Sequence, residues 1–146
     1  WSAESGVRWH WEQLEIAARA RRLVRRHGLL VYSTCSLDPL QNEAVIAALL
    51  QLGGLELVDM AELPWRARPG ITDWAVWNAE ACDWQESYKP PQYQHVRAST
   101  APQVTHFPPP PAVAEALALH RCLRLMPDDF DTGAAFVAVL RRTDED

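Results

Sequence analysis

Apolar residues recur at three- and four-residue spacing early in the chain: Leu14, Ala17, Ala18, Ala20, Leu23 and Val24, with arginines between them. That period predicts a helix from Trp9 to His27 with one apolar stripe. Gly28 follows, suited to the left-handed residue that closes a last turn. The period then changes. Leu29 to Thr34 is a continuous apolar, β-branched and aromatic run, the pattern of a strand buried on both faces of a parallel sheet. Asp38-Pro39 marks a helix start. Val45, Ile46, Leu49 and Leu50 put an apolar face on a helix from about Gln41 to Leu52, which Gly53-Gly54 ends. Leu55 to Asp59 alternates and predicts the next strand. Helix, strand, helix, strand is the pattern of an α/β domain.

From about Ala61 to Pro111 periodicity fades and prolines and tryptophans accumulate. This predicts an irregular insertion held by aromatic packing and covering a sheet edge, with Pro108 to Pro111 as a short extended segment. Regularity returns in a helix from Ala112 to Leu119 and a strand from Arg121 to Met126, stopped by Pro127. Asp128 to Gly133 reads as a turn and Ala135 to Leu140 as the last strand, so the closing pair is expected to be antiparallel. The expected organisation is a core over 1–60, the insertion over 61–111, and closing elements with an acidic tail over 112–146. Two crossover helices are too few for a complete doubly wound sheet, and the first strand would keep an uncovered edge. The fold class expected is therefore the C-terminal half of an α/β domain. Trp1 in place of Met, directly before a helical pattern, gives the same expectation of a piece of a longer chain.

With 146 residues, 48% of them hydrophobic, the chain is globular and sized for one domain. The net charge of −5 argues against a free-standing nucleic-acid binder, which needs clustered cations. The distribution refines this: Arg19, Arg21, Arg22, Arg25 and Arg26 crowd one helix, while Asp144, Glu145 and Asp146 end the chain. The arginines are either a solvated face or a local phosphate-binding face. Cys35, Cys82 and Cys122 form no Cys-x-x-Cys pair, so neither a zinc site nor a disulfide framework is indicated, and a reducing intracellular compartment is expected. No apolar run approaches the ~18 residues that span a bilayer, so no membrane partner is expected.

Chemistry concentrates at the end of the first strand, Leu30-Val31-Tyr32-Ser33-Thr34-Cys35-Ser36-Leu37-Asp38-Pro39, followed by Asn42-Glu43. Open α/β sheets place ligands at the carboxyl ends of their strands. A thiol there becomes a nucleophile as thiolate, aided by a helix N-terminus or a cation. The residues alone leave two readings open, a reactive Cys35 or an inert strand-end cysteine. A Cys-His hydrolase using His95, His106 or His120 has no supporting spacing.

This stretch, with Asn42-Glu43-Ala44-Val45 after it, resembles the Thr-Cys motif of the Nop/Sun family of RNA cytosine-5 methyltransferases. Gln13 and Ile16-Ala17 match the helix before that motif. Pro69-Gly70-Ile71-Thr72 with Trp74 and Val76 is similar to the tRNA-modifying branch. Arg121-Cys122-Leu123-Arg124 with Pro127, and Thr132-Gly133 with Phe136 to Leu140, resemble the closing strands. The resemblance covers nearly the whole chain. It implies a Rossmann-like class I fold and S-adenosylmethionine as methyl donor. It further implies RNA, of the tRNA type, as substrate, in the nucleus or cytoplasm if the source is eukaryotic. Cys35 would be the nucleophile that adds to C6 of cytosine.

The family's glycine-rich cofactor loop, its ribose-binding acid and its Asp-x-Pro-Cys motif lie N-terminal to the Thr-Cys motif and do not occur here. The resemblance therefore implies that the cofactor is bound mainly by residues N-terminal to this chain, with no cofactor or metal ligand within it. The remaining N-terminal half of the domain would be its partner, and the piece alone would be inactive. Cys82 and Cys122 sit in the wrong contexts to replace the family's second cysteine, and Gly133-Ala134-Ala135-Phe136 departs from its usual closing motif. Thr34 and Ser36 would shape the nucleophile's pocket, and Pro39 and Glu43 the turn and helix start. Arg19, Arg22 and Arg26 would meet RNA phosphates, and Trp74, Trp77 and Trp84 either stack on bases or pack in the insertion. The alternative from another class is a non-catalytic RNA-binding or protein-interaction module descended from such an enzyme.

Overall fold

In the computed structural model, residues 3–60, 67–89, 101–131 and 133–143 are described. Trp1, His95, Thr132, the tail Asp144, Glu145 and Asp146, and parts of the insertion lie outside them. Helix α1 runs from Ala3 to Leu23, starting six residues earlier than the apolar stripe predicts. Its buried side turns Val7, His10 and Ala17 inward. Leu23 was expected on that stripe but is 87% exposed, at the residue where the helix ends. The left-handed residue after the helix is His27 (φ 58°), not Gly28.

Strand β1 (Leu29–Thr34) has the predicted bounds, and α2 (Glu43–Gln51) follows a single 3₁₀ turn, Pro39–Gln41, capped by Asp38. Next come β2 (Leu55–Leu57) and β3 (Arg68–Pro69), then a small hairpin of β4 (Val76–Asn78) and β5 (Asp83–Gln85) within the stretch expected to be irregular. After α3 (Pro111–Ala116) the chain enters β6 (Leu123–Leu125). Pro127 opens a short helix, α4 (Pro127–Phe130), where a turn was expected, and β7 (Ala135–Arg142) closes the sheet.

Strand β7 is the spine. It pairs antiparallel with β1 along one edge, Leu29 opposite Arg141 to Thr34 opposite Phe136. Its other edge is shared end to end by β2, opposite residues 140–142, and β6, opposite residues 135–137. β1, β2 and β6 therefore run parallel to one another, with β7 reversed between them. The expected antiparallel strand pair is β6 and β7, and β3 extends the sheet beyond β6.

One face of this sheet lies under α1 and α2. Leu30, Tyr32, Phe136, Ala138 and Leu140 meet Ala17, Ile46, Leu49 and Leu50 there. Every residue of α2 from Glu43 to Leu50 is buried, not one face alone. Its second side is covered by the middle segment, where Trp74, Val76 and Phe107 join Val7, Leu40 and Ala44. The sheet's opposite face is open among the described residues. Leu29 and Val31 are 57% and 60% exposed, so β1 is not buried on both faces as its composition predicts. Composition measures a strand's capacity for burial, whereas a partner layer determines its burial.

Gly70 shows how tightly the middle segment is seated. Its amide donates to the Cys122 carbonyl at 2.7 Å, and a Cβ there would stand 2.4 Å from the Leu119 oxygen. Only glycine permits that approach.

Candidate functional site

Cys35 is exposed, one residue past the end of β1. The turn that presents it is tied from both sides. Asn42 is fully buried at the start of α2. The Thr34 hydroxyl donates to Asn42 Oδ1 at 2.6 Å, and Asn42 Nδ2 donates to the Ser36 carbonyl at 2.9 Å. One amide side chain thus bridges the residues before and after the thiol, and deleting it would remove a hydrogen bond from each.

The amides of the turn are used locally. Ser36 N–H donates to Thr34 Oγ1, Asp38 N–H to Ser36 Oγ, and Leu40 N–H to Asp38 Oδ1, at 3.2, 3.0 and 3.0 Å. These short polar side chains replace a strand ladder with Asx- and hydroxyl-type turns. A 3₁₀ turn separates Cys35 from α2, so the helix does not begin beside the thiol, and of that turn's amides Leu40 N–H is taken by Asp38. Pro39 occupies the first position of that turn, and Tyr32 donates to the Gln41 carbonyl at 2.6 Å.

Beneath the turn lies a buried ion pair. Arg124 Nε and Nη2 donate to the two carboxylate oxygens of Glu43, each at 2.6 Å, with the side chains 9% and 0% exposed. The same guanidinium donates to the Leu37 carbonyl at 3.0 Å, and Glu43 also accepts the Ile71 amide at 3.0 Å. This bidentate fork joins α2, β6, the middle segment and the turn two residues past Cys35. Arg124 and Asn42 carry these roles without having been assigned them from the sequence. The readable signal for Arg124 was a charge inside an apolar strand, matched by Glu43 at the head of an apolar helix.

A second buried polar pair secures the opposite end of the turn. His10 Nδ1 bonds the Leu40 carbonyl at 2.8 Å and its Nε2 the Thr105 hydroxyl at 3.1 Å. His106 accepts the Gln103 amide at 2.7 Å and bonds the Val7 carbonyl at 3.2 Å, with the rings 4.4 Å apart. Desolvation lowers the pKa of both, His106 to about 4, so both are neutral and structural. His106 is therefore packed into the core and has no thiol as partner.

Comparison with known proteins adds identity to this geometry. Residues 6–72, which contain α1, the Cys35 turn, Asn42 and Glu43, match the family described as 16S rRNA methyltransferase RsmB/F. A multisite-specific tRNA:(cytosine-C(5))-methyltransferase, trm4b, of Schizosaccharomyces pombe is 37% identical over 99% of the chain and 21% of its own length. The tRNA (cytosine(34)-C(5))-methyltransferase of Drosophila melanogaster is 34% identical over 97% of the chain and 19% of its own length. Over residues 6–72 the chain is similar to the RsmB/F methyltransferase family. It spans about a fifth of the length of these relatives. A methyltransferase homolog protein from Pyrococcus horikoshii shares the fold, with TM-score 0.55 and 22% identity over 91% of the chain and 30% of that protein.

Elsewhere in the chain the other expected residues separate. Arg19 is paired with Glu15 at 2.5 Å on the exposed side of α1, and Arg22 is exposed. Arg26 lies beyond the end of α1, so the three arginines do not share one helix face as their spacing predicts. Trp74 is buried and donates to the His106 carbonyl at 2.7 Å, which makes it a packing residue, whereas Trp77 and Trp84 pair across the hairpin. Cys82 is exposed on the β4–β5 turn. Cys122 is buried against Glu43 and Arg124, where desolvation drives its thiol pKa upward. The described glycines serve turns and close contacts. Gly53 and Gly54, with positive φ, join α2 to β2, and no glycine-rich loop connects a strand to a helix.

Proposed function

We propose that this chain carries the nucleophile of an RNA cytosine-5 methyltransferase that acts on tRNA. The observation that carries the reading is an exposed thiol at the carboxyl end of a strand, on a turn whose polar groups are committed to Asn42, Thr34, Ser36, Asp38 and Arg124. Such a turn holds one atom in place without enclosing it. Relatives of about one-third identity across nearly the whole chain are named for cytosine-C5 methylation of tRNA.

C5 of cytosine is a weak nucleophile. Addition of the Cys35 thiolate to C6 forms an S–C6 bond and moves the C5–C6 π-electrons onto C5. S-adenosylmethionine supplies the methyl group that C5 takes up. Loss of the C5 proton to a base and cleavage of the S–C6 bond then restore the ring and free the thiolate. The target base must leave its stack to expose both faces. Cofactor groups belong to the rest of the domain, and the open sheet face around Leu29 and Val31 supports a docking place for that half. The 146-residue piece alone then transfers no methyl group.

The test uses the full-length protein and tRNA-derived RNA containing 5-fluorocytosine. This base has no C5 proton to lose, so elimination stalls and the adduct persists. Wild type is expected to give a denaturant-resistant protein–RNA band, and Cys35→Ala none, with loss of tRNA cytosine methylation. Undiminished methylation by Cys35→Ala overturns the assignment, and RNA binding without an adduct favours the non-catalytic module.

A further inference from the structure

The hairpin of β4 and β5 has a feature that its packing does not explain. Trp77 and Trp84 face each other across the strands, ring centroids 5.4 Å apart and planes at 63°, yet Trp84 remains 53% exposed. A tilted pair cannot cover both faces of either ring, so an indole face stays available. A two-stranded ribbon with three residues a side is marginal by itself, and an exposed indole gains it little burial.

The surroundings of that pair give the face a use. The Leu37–Leu40 turn on one side and Ala75, Trp77 and Trp84 on the other enclose a cavity of about 290 Å³ that opens to solvent. Leu37 is two residues from Cys35, and two residues of extended chain reach at most about 7 Å. Asp38 is the cavity's one carboxylate, and its Oδ1 is engaged by the Leu40 amide. The larger cleft beside Pro108–Pro111, about 630 Å³, is instead walled by Asp73, Glu86 and Glu115, a poor setting for a polyanion.

We propose that the cavity between the Cys35 turn and the Trp77–Trp84 pair is a stacking pocket for an unpaired RNA base flanking the base attacked by Cys35. This rests on the reading of Cys35 as the base-attacking nucleophile. A flat ring with a π-face is the occupant that an open indole and an apolar, proline-backed wall recognise, and base–aromatic stacking tolerates any of the four bases. The pocket then supplies binding and register, not base identity. A nucleotide adjacent to the target is held down while the target is turned out, which lowers the cost of unstacking it.

The experiment compares full-length wild type, Trp84→Phe and Trp84→Leu in equilibrium binding, without S-adenosylmethionine, to a tRNA-derived stem–loop with ordinary cytosine as the target base. Adduct formation is read separately on the 5-fluorocytosine form of that RNA. A second set of RNAs has an abasic residue at each position flanking the target base. Trp84→Leu is expected to weaken binding roughly 5- to 100-fold, the range for loss of one stacked base, and Trp84→Phe less than about threefold. One abasic position should cost wild type a similar factor and cost Trp84→Leu nothing, the coupling expected of groups in contact. Equal affinities for wild type and Trp84→Leu overturn the pocket, as do equal losses for Phe and Leu, or abasic effects that persist in the Leu variant. Because binding is read separately from adduct formation, an absent adduct with intact Trp84 coupling refutes the nucleophile alone. An intact adduct without that coupling refutes the pocket alone.

Discussion

The two faces of the sheet are built from the same kinds of residue and have opposite fates. Under α1 and α2, Phe136, Ala138 and Leu140 of β7 are fully buried. On the other face their neighbours Val137 and Val139 are only half-buried, and Leu29 and Val31 of β1 are more than half exposed. Alternation along a strand sends successive side chains to opposite faces, so both rows come from one apolar run. The covered row is a finished core, and the open row is left uncovered by the described residues. The polar brace of the Cys35 turn lies on the finished side, because Arg124 shares the register position of Phe136.

That contrast is open to disruption, most severely from the covered side. Phe136→Ala should cost about 3–5 kcal/mol through lost burial and a residual cavity, read as a lowered midpoint in urea. Arg124→Met should cost a similar amount, roughly 3–5 kcal/mol, because the Glu43 carboxyl would stay buried without its partner. Replacing both residues of that pair with apolar side chains should recover much of the loss. A single variant as stable as wild type would show that the pair does not brace the turn.

His106 tests the same side by pH. Its folded pKa, about 4, lies below the ordinary 6.5, so the unfolded chain takes up the proton first. Its contribution is intact above about pH 6.5 and is lost as pH falls toward 4, by about 3 kcal/mol in all. Urea midpoints across that window should fall with pH more steeply in wild type than in His106→Gln. Parallel slopes would contradict the buried neutral pair. Asn42→Ala, which leaves Thr34 and Ser36 without a shared partner, should cost about 1–3 kcal/mol. The smallest effect belongs to the open face. Val31→Ser should change the stability of the 146-residue chain by no more than about 0.5 kcal/mol. In the full-length protein a markedly larger loss is expected, and equal small effects in both would mean that nothing covers this face.

Legibility followed the range of the cause. β1 was readable to the residue because an apolar run ending in hydroxyls is a local signal, and the turn at Asp38-Pro39 was readable for the same reason. The length of α1 was underestimated. Its first turns carry Val7 and His10 inward among polar neighbours, so the stripe is hard to see before Leu14. The β4–β5 hairpin was missed among prolines and tryptophans with too short a repeat to register. The partners of the site lay further still from local reading. Glu43 and Arg124 are 81 positions apart, and Trp77 and Trp84 approach the Cys35 turn only through the folding of the middle segment.

By itself the sequence determined the α/β succession, the place of Cys35 at a strand end and the resemblance to the Nop/Sun family. These follow from short-range periodicity and from residue types at fixed spacing. Only the tertiary structure decided that one sheet face is finished and the other open. It also assigned Asn42 and Arg124 to the thiol's turn and made Trp74 a core residue while Trp84 stays exposed. Burial and pairing are relations between distant segments, and no stretch of sequence carries its own partner.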